Sequence, residues 1–257
     1  MLDALARRAG MPLWAFFGGS GRALVTDVTI PTGSIEEARA DAAMRAAAGF
    51  SRLKVKVGGA GAKDDAARLV AIREAAPGAE LMLDGNGGLT AEAALDLLTD
   101  LRARGVLPIL FEQPVPGGDI EGLAQVARRG SVPVAADESV TTAADVLRIA
   151  AAGAAQVVNI KPMKSGVVEA LAIASTARAA GLGLMIGGMV EAKLSMSLSA
   201  CFAAGLGGFA FVDLDTPLFL ADEPFEGGYA QRGEHLDSVA HRGRPRRLAR
   251  GALIGGR

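Results

Sequence analysis

Asp84, Glu112 and Asp137 each close a short apolar run, 28 and 25 residues apart, and Lys161 closes another run 24 residues further on. Carboxylates are hard oxygen donors, suited to Mg2+ rather than to Zn2+, which favours His or Cys; the two histidines, His235 and His241, lie in the polar tail. Lys54 and Lys56 stand two apart, so on a strand they share one face while Leu53, Val55 and Val57 share the other. Crowding two ammonium groups in a partly desolvated pocket depresses the pKa of at least one, which then serves as a base near neutral pH. A single aspartate at a strand end more often caps the next helix than binds a metal. Three evenly spaced carboxylates bracketed by lysines point instead to proton transfer beside a divalent cation.

Intervals of this size are those of one strand, one helix and two loops. The chain has 257 residues, close to the roughly 250 of a single α/β barrel, and apolar runs alternate along it with Ala-rich helical stretches. Strands are expected at 24–30, 51–57, 80–84, 108–112, 132–137, 155–161, 182–187 and 208–213, with seven helices between them. Helix starts carry caps: Ser34 with Glu37, Thr90 before Ala-Glu-Ala-Ala-Leu, and Thr141-Thr142 before Ala-Ala-Asp-Val-Leu. Strands such as Leu81-Met82-Leu83 lack polar alternation, as parallel strands covered on both faces should. Polar residues close nearly every strand, which favours a barrel mouth over a doubly wound sheet. Gly58-Gly59-Ala60-Gly61 and Gly85-Asn86-Gly87-Gly88 both miss the dinucleotide-binding spacing, and no Gly-Lys-Ser/Thr follows either.

Half the residues are apolar, 21% are charged and the net charge is −1, so no basic stripe exists to neutralise phosphates and nucleic acid is excluded as a partner. A small-molecule substrate is expected. The single cysteine, Cys201, excludes an internal disulfide and fits a reducing cytoplasm. The N-terminus lacks the order of a signal peptide. The longest uncharged stretch, Leu194 to Val212, carries three serines and three glycines and reads as a helix end before a strand, not as a membrane span.

Five segments carry a resemblance: Leu53-Lys54-Val55-Lys56-Val57-Gly58, Leu83-Asp84-Gly85-Asn86, Phe111-Glu112-Gln113-Pro114, Ala136-Asp137-Glu138-Ser139 and Asn159-Ile160-Lys161-Pro162-Met163-Lys164. In this order they resemble the barrel domain of the enolase superfamily, muconate-lactonising-enzyme-like subgroup, and most closely its dipeptide epimerases. The resemblance implies a modified TIM barrel of (β/α)7β type and a homo-oligomer. It further implies Mg2+, with Mn2+ as the alternative, held by Asp84, Glu112 and Asp137, and a 1,1-proton transfer through a metal-stabilised enediolate. Lys56 and Lys161 are the implied bases on opposite faces. Lys54 is implied to tune Lys56 and steady the substrate carboxylate, with Asn86 also in the substrate site. Asp213-Leu214-Asp215 resembles the Asp-x-Asp motif that holds a dipeptide's α-ammonium group, and Met189-Val190-Glu191-Ala192-Lys193 resembles the family's seventh-strand loop. The alternatives are an N-acyl or N-succinyl amino acid racemase or a cycloisomerase of the same subgroup, and, from another class, an inactive metal-binding barrel.

Two departures stand out. Asn86 is followed by Gly87-Gly88 where relatives have Gln-Gly, which removes a polar group near the metal. The chain also opens at Leu13-Trp14-Ala15-Phe16-Phe17-Gly18-Gly19, a segment like the family's last capping helix. The expected organisation is therefore a capping-domain remnant over 1–22, the barrel over 23–217, and over 218–257 a partly disordered tail that would return to the cap, with an Arg-rich stretch from Arg242 to Arg250. A misassigned start or truncation, a natural capless form, or a lid supplied by a partner subunit would each account for the short front.

Overall fold

The computed structural model describes residues 2–19, 21, 23–59, 62–222, 225 and 227–238; the Arg242–Arg250 stretch and His241 lie outside them. Two short helices, α1 (Leu2–Arg8) and α2 (Leu13–Phe16), lead into β1 (Leu24–Val25) and β2 (Val28–Ile30). Strand and helix then alternate: α3 (Ile35–Ala47), β3 (Arg52–Lys56), α4 (Ala62–Ala75), β4 (Glu80–Asp84), α5 (Ala91–Ala103), β5 (Leu110–Glu112), α6 (Ile120–Arg129) and β6 (Val134–Ala136). The second half follows the same beat with α7 (Ala143–Ala152), β7 (Val157–Ile160), α8 (Pro162–Ala179), β8 (Gly183–Gly187), α9 (Lys193–Leu206) and β9 (Phe209–Asp213). After a 3-10 turn over Thr216–Phe219 come β10 (Ala230–Arg232) and β11 (His235–Asp237).

Strands β2 to β9 lie side by side in sequence order, all parallel, the expected barrel. Asp27 N–H donates to Val212 O at 2.9 Å and so joins the two ends of the ring. The first strand differs from the expected continuous 24–30. Thr26 N–H turns to Glu234 O (2.8 Å), which leaves Leu24–Val25 paired with β11 in a separate antiparallel sheet and lets the barrel strand start at Val28. The predicted caps form: Ser34 and Glu37 make a reciprocal box on α3, Thr90 Oγ1 accepts from Ala93 N–H, and Thr142 caps α7 in a box with Asp145. The uncharged 194–212 stretch is divided between α9 and β9, and among the described residues no helix is long and apolar enough to cross a membrane.

Alternation along each strand separates two apolar layers. Leu53, Val55, Leu81, Leu83, Phe111 and Val158 face outward under the helices, in one large cluster. Full burial of each such side chain contributes about 1.5–3 kcal/mol. Met82, Leu110, Ala135, Val157 and Met185 face inward and plug the barrel as a second, small cluster. In register with that plug lies Lys54, opposite Met82. One step further along, Lys56, Asp84 and Glu112 sit side by side on β3, β4 and β5, so the chemistry occupies the layer above the plug.

Candidate active site

The strand ends bring the sequence-predicted residues to one end of the barrel. Lys54, Lys56, Asn86, Lys161, Asp213 and Asp215 line a single cavity of about 440 Å3, and Asp84, Glu112 and Asp137 lie against its lysines. Lys54 Nζ stands 2.9 Å from Asp84 Oδ2, 2.8 Å from Glu112 Oε2 and 2.6 Å from Asp213 Oδ2. Lys56 Nζ donates to Asp84 Oδ2 and to Asn86 Oδ1, both at 2.6 Å. Lys161 Nζ lies 2.7 Å from Asp137 Oδ2.

The two lysines of β3 share one carboxylate oxygen, Asp84 Oδ2, and Lys54 is further surrounded by Glu112 and Asp213. Burial opposes the charge on Lys54, but Asp213, Asp84 and Glu112 outweigh it and hold the ammonium well above the ordinary lysine range. Lys161 is likewise raised: burial works against its charge, and Asp137 and Glu112 overcome it. Burial would push Asp84 up, yet Lys54 and Lys56 bring it below its usual value; Lys161 and Lys164 do the same for Asp137.

Glu112 is the exception in the carboxylate set. Burial first, and Asp84 beside it, push it up to about 8. Its Oε1 accepts from Asn159 Nδ2 at 2.7 Å, while its buried Oε2 lies 2.8 Å from Lys54 Nζ in an ion pair and, among the described residues, makes no hydrogen bond. A fully buried carboxylate with one oxygen unbonded, flanked on neighbouring strands by two more, fits a hard divalent cation. Among the described residues, however, the carboxylates whose oxygens all approach within 4.8 Å of one another are Asp27, Asp213 and Asp215. Asp84, Glu112 and Asp137 stand further apart, with ammonium groups against their oxygens.

Several supporting contacts were not legible in the sequence. Gln113, at φ 31, donates through Nε2 to Val115 O and Ser139 Oγ (both 2.8 Å) and accepts through Oε1 from the N–H of Asp137 (2.9 Å) and Ser139 (3.2 Å). It thereby fixes the loop that presents Asp137. Asn86, at φ 42, is a second non-glycine residue in the left-handed region, and such strain collects where a site must be held. Lys164 Nζ donates to Asp137 Oδ1 (2.5 Å), Asp137 O (2.6 Å) and Val140 O (3.0 Å). Arg68 is buried on α4. Its guanidinium donates to Lys56 O (3.1 Å), Pro31 O (2.8 Å) and Asp65 Oδ1 (3.0 Å), and Asp65 Oδ2 accepts from Gly58 N–H at 2.6 Å. That clamp sets the end of β3. Asp27, described below, had no signal beyond its carboxylate.

The description of the matching family is "Enolase C-terminal domain-like", over residues 37–240. The aromatic dipeptide epimerase of Herpetosiphon aurantiacus is 53% identical over 236 residues, covering 92% of this chain and 66% of the relative. The L-Ala-D/L-Glu epimerase of Thermotoga maritima is 38% identical over 235 residues, covering 91% and 68%. Among solved structures, the dipeptide epimerase of Enterococcus faecalis V583 complexed with Mg and the dipeptide L-Leu-L-Tyr superposes with a TM-score of 0.87 at 33% identity, covering 92% of this chain and 67% of that one. The chain thus spans about two thirds of the length of each of these proteins.

Proposed function

The chain belongs to the enolase C-terminal domain-like family, and from that premise we propose that it epimerises dipeptides by two-base 1,1-proton transfer beside a carboxylate-held divalent cation. The observation that carries this reading is that Lys56 and Lys161, from β3 and from the end of β7, line the same cavity as Asp213 and Asp215. One pair of residues can move a proton at a carbon, and the other can anchor an ammonium group.

Asp84, Glu112 and Asp137 would hold Mg2+, or Mn2+ as the alternative. When bound, the ion supplies the positive charge that makes the proton next to a carboxylate removable. One of Lys56 and Lys161, neutral at that moment, takes the α-proton on its nitrogen; the other, as an ammonium, delivers a proton to the opposite face, and the configuration inverts. Lys54 steadies the substrate carboxylate. Asn86, which accepts from Lys56 Nζ, orients that base.

Asp213 and Asp215 take the substrate's ammonium, the feature that separates a dipeptide from an N-acylated amino acid. Beside them the cavity wall turns apolar, with Pro31, Met189, Val190, Phe219 and Leu220. Phe219 is 46% exposed there. A dipeptide with an apolar side chain at its ammonium end is the substrate this wall suits. The test mixes the protein, Mg2+ and a dipeptide library in D2O and reads α-deuterium by NMR. Exchange in apolar dipeptides is the expected result. Exchange only in N-acyl or N-succinyl amino acids would favour the racemase, and none with any substrate the inactive barrel.

A further inference from the structure

Asp27 is a fully buried carboxylate that the chemistry above does not use. It sits between β1 and β2, behind the cavity wall, and among the described residues neither of its oxygens has a hydrogen-bond partner. One of them lies within 4.8 Å of carboxylate oxygens of both Asp213 and Asp215. The backbone around it is tied to theirs: Asp27 N–H donates to Val212 O (2.9 Å), Leu214 N–H to Thr26 Oγ1 (2.9 Å) and Thr29 N–H to Asp215 Oδ2 (2.6 Å). The three acids therefore cannot drift apart.

The charged groups facing Asp27 are Asp213, Asp215, Glu112 and Lys54. Lys54 is the one cation among them, and its ammonium is already in contact with Asp84, Glu112 and Asp213. An ionised Asp27 would be a buried charge with no partner beside two like charges. We propose that Asp27 is a positioning residue of the ammonium subsite, a carboxyl kept protonated so that the subsite carries two negative charges and not three. Two charges face the substrate ammonium and Lys54, which Asp213 shares with Asp84 and Glu112; a third would add a buried anion with no cation of its own. The inference rests on the assignment of Asp213 and Asp215 to the ammonium group. Burial, then Asp213, push Asp27 well above the usual carboxylate range, against the opposing pull of Lys54.

Infrared spectroscopy decides the proton directly and needs no turnover. With saturating Mg2+ at about pH 8, where Asp215, pushed to about 6, is ionised, the wild-type protein should show the carbonyl stretch of a protonated acid. The band should move in D2O and on labelling aspartate with 13C at the side-chain carboxyl, and disappear in Asp27→Asn. The aspartate label excludes Glu112, whose band would not respond to it, even if that variant does not fold, and Asp213→Asn and Asp215→Asn, in which the band should persist, exclude its two neighbours. In binding, Asp27→Asn should weaken a free-amine dipeptide by no more than about threefold while Asp213→Asn weakens it by about tenfold or more. Absence of the band, its persistence in Asp27→Asn, or equal losses in the two variants would overturn the proposal. A present band in a protein that exchanges no dipeptide would instead refute the dipeptide reading and leave the Asp27 proton standing.

Discussion

Lys54 Nζ and Asp213 Oδ2, 159 residues apart in the chain, meet at 2.6 Å on the floor of the cavity. Because the same ammonium touches Asp84 and Glu112, one cation joins the carboxylates suited to a metal with those suited to an ammonium group. The two halves of the site are thus electrostatically one unit, and a change in either is felt by the other.

Removal of that cation should be costly. Lys54→Met leaves Asp84, Glu112 and Asp213 buried without their shared partner, and loss of one member of such a pair costs about 3–5 kcal/mol. Thermal unfolding without added metal should show a large drop in Tm, and Mg2+ should recover more of it in the variant than it adds to the wild type. An unchanged Tm would mean that the three carboxylates do not depend on Lys54.

Asp215 sets a trade between stability and binding. Burial, then Asp213, raise its carboxyl from 3.8 to about 6. A raised folded-state value favours the fold at low pH, and that contribution is lost as pH rises through about 6. Asp215→Asn should therefore unfold at a higher temperature than wild type above about pH 6, with the gain vanishing below about pH 4. The same variant should raise KM for a free-amine dipeptide by about tenfold. A stability gain independent of pH would contradict the assignment.

Gly187 leaves room for a base. A Cβ there would lie 2.6 Å from Asn159 Oδ1 and 2.9 Å from Lys161 Cε. Gly187→Ala should displace Lys161 while leaving Lys56, on the opposite side of the cavity, in place. Interconversion of epimers should fall by about a hundredfold, since small misplacements of a reacting group cost that much, while deuterium exchange on the Lys56 face continues. Equal loss on both faces would show that the damage is general.

The barrel and the polar residues gathered at its mouth were legible for one physical reason. Parallel strands hidden on both faces leave polar residues mostly at their ends, so Asp84, Glu112, Lys161 and Asp213 stand out against apolar runs. What sequence could not convey is which distant charge meets which. Lys54 reads only as one of a lysine pair; that carboxylates from three other strands surround it is visible only in the fold. Arg68 gives no sign in the sequence that its guanidinium holds the backbone of Pro31 and Lys56. Asp27 was hidden inside an expected unbroken strand over 24–30; the break at Thr26 that turns it toward Asp213 and Asp215 depends on Glu234, about two hundred residues away.

If Lys56 and Lys161 serve opposite faces of one carbon, deuterium exchange separates them in the single variants Lys56→Ala and Lys161→Ala, each given both epimers of an apolar dipeptide with Mg2+ in D2O. Each variant should exchange the α-hydrogen of one epimer only, a different one in each case, and neither should interconvert the epimers. Exchange of the same epimer by both variants, or inversion by either, would contradict the two-base account.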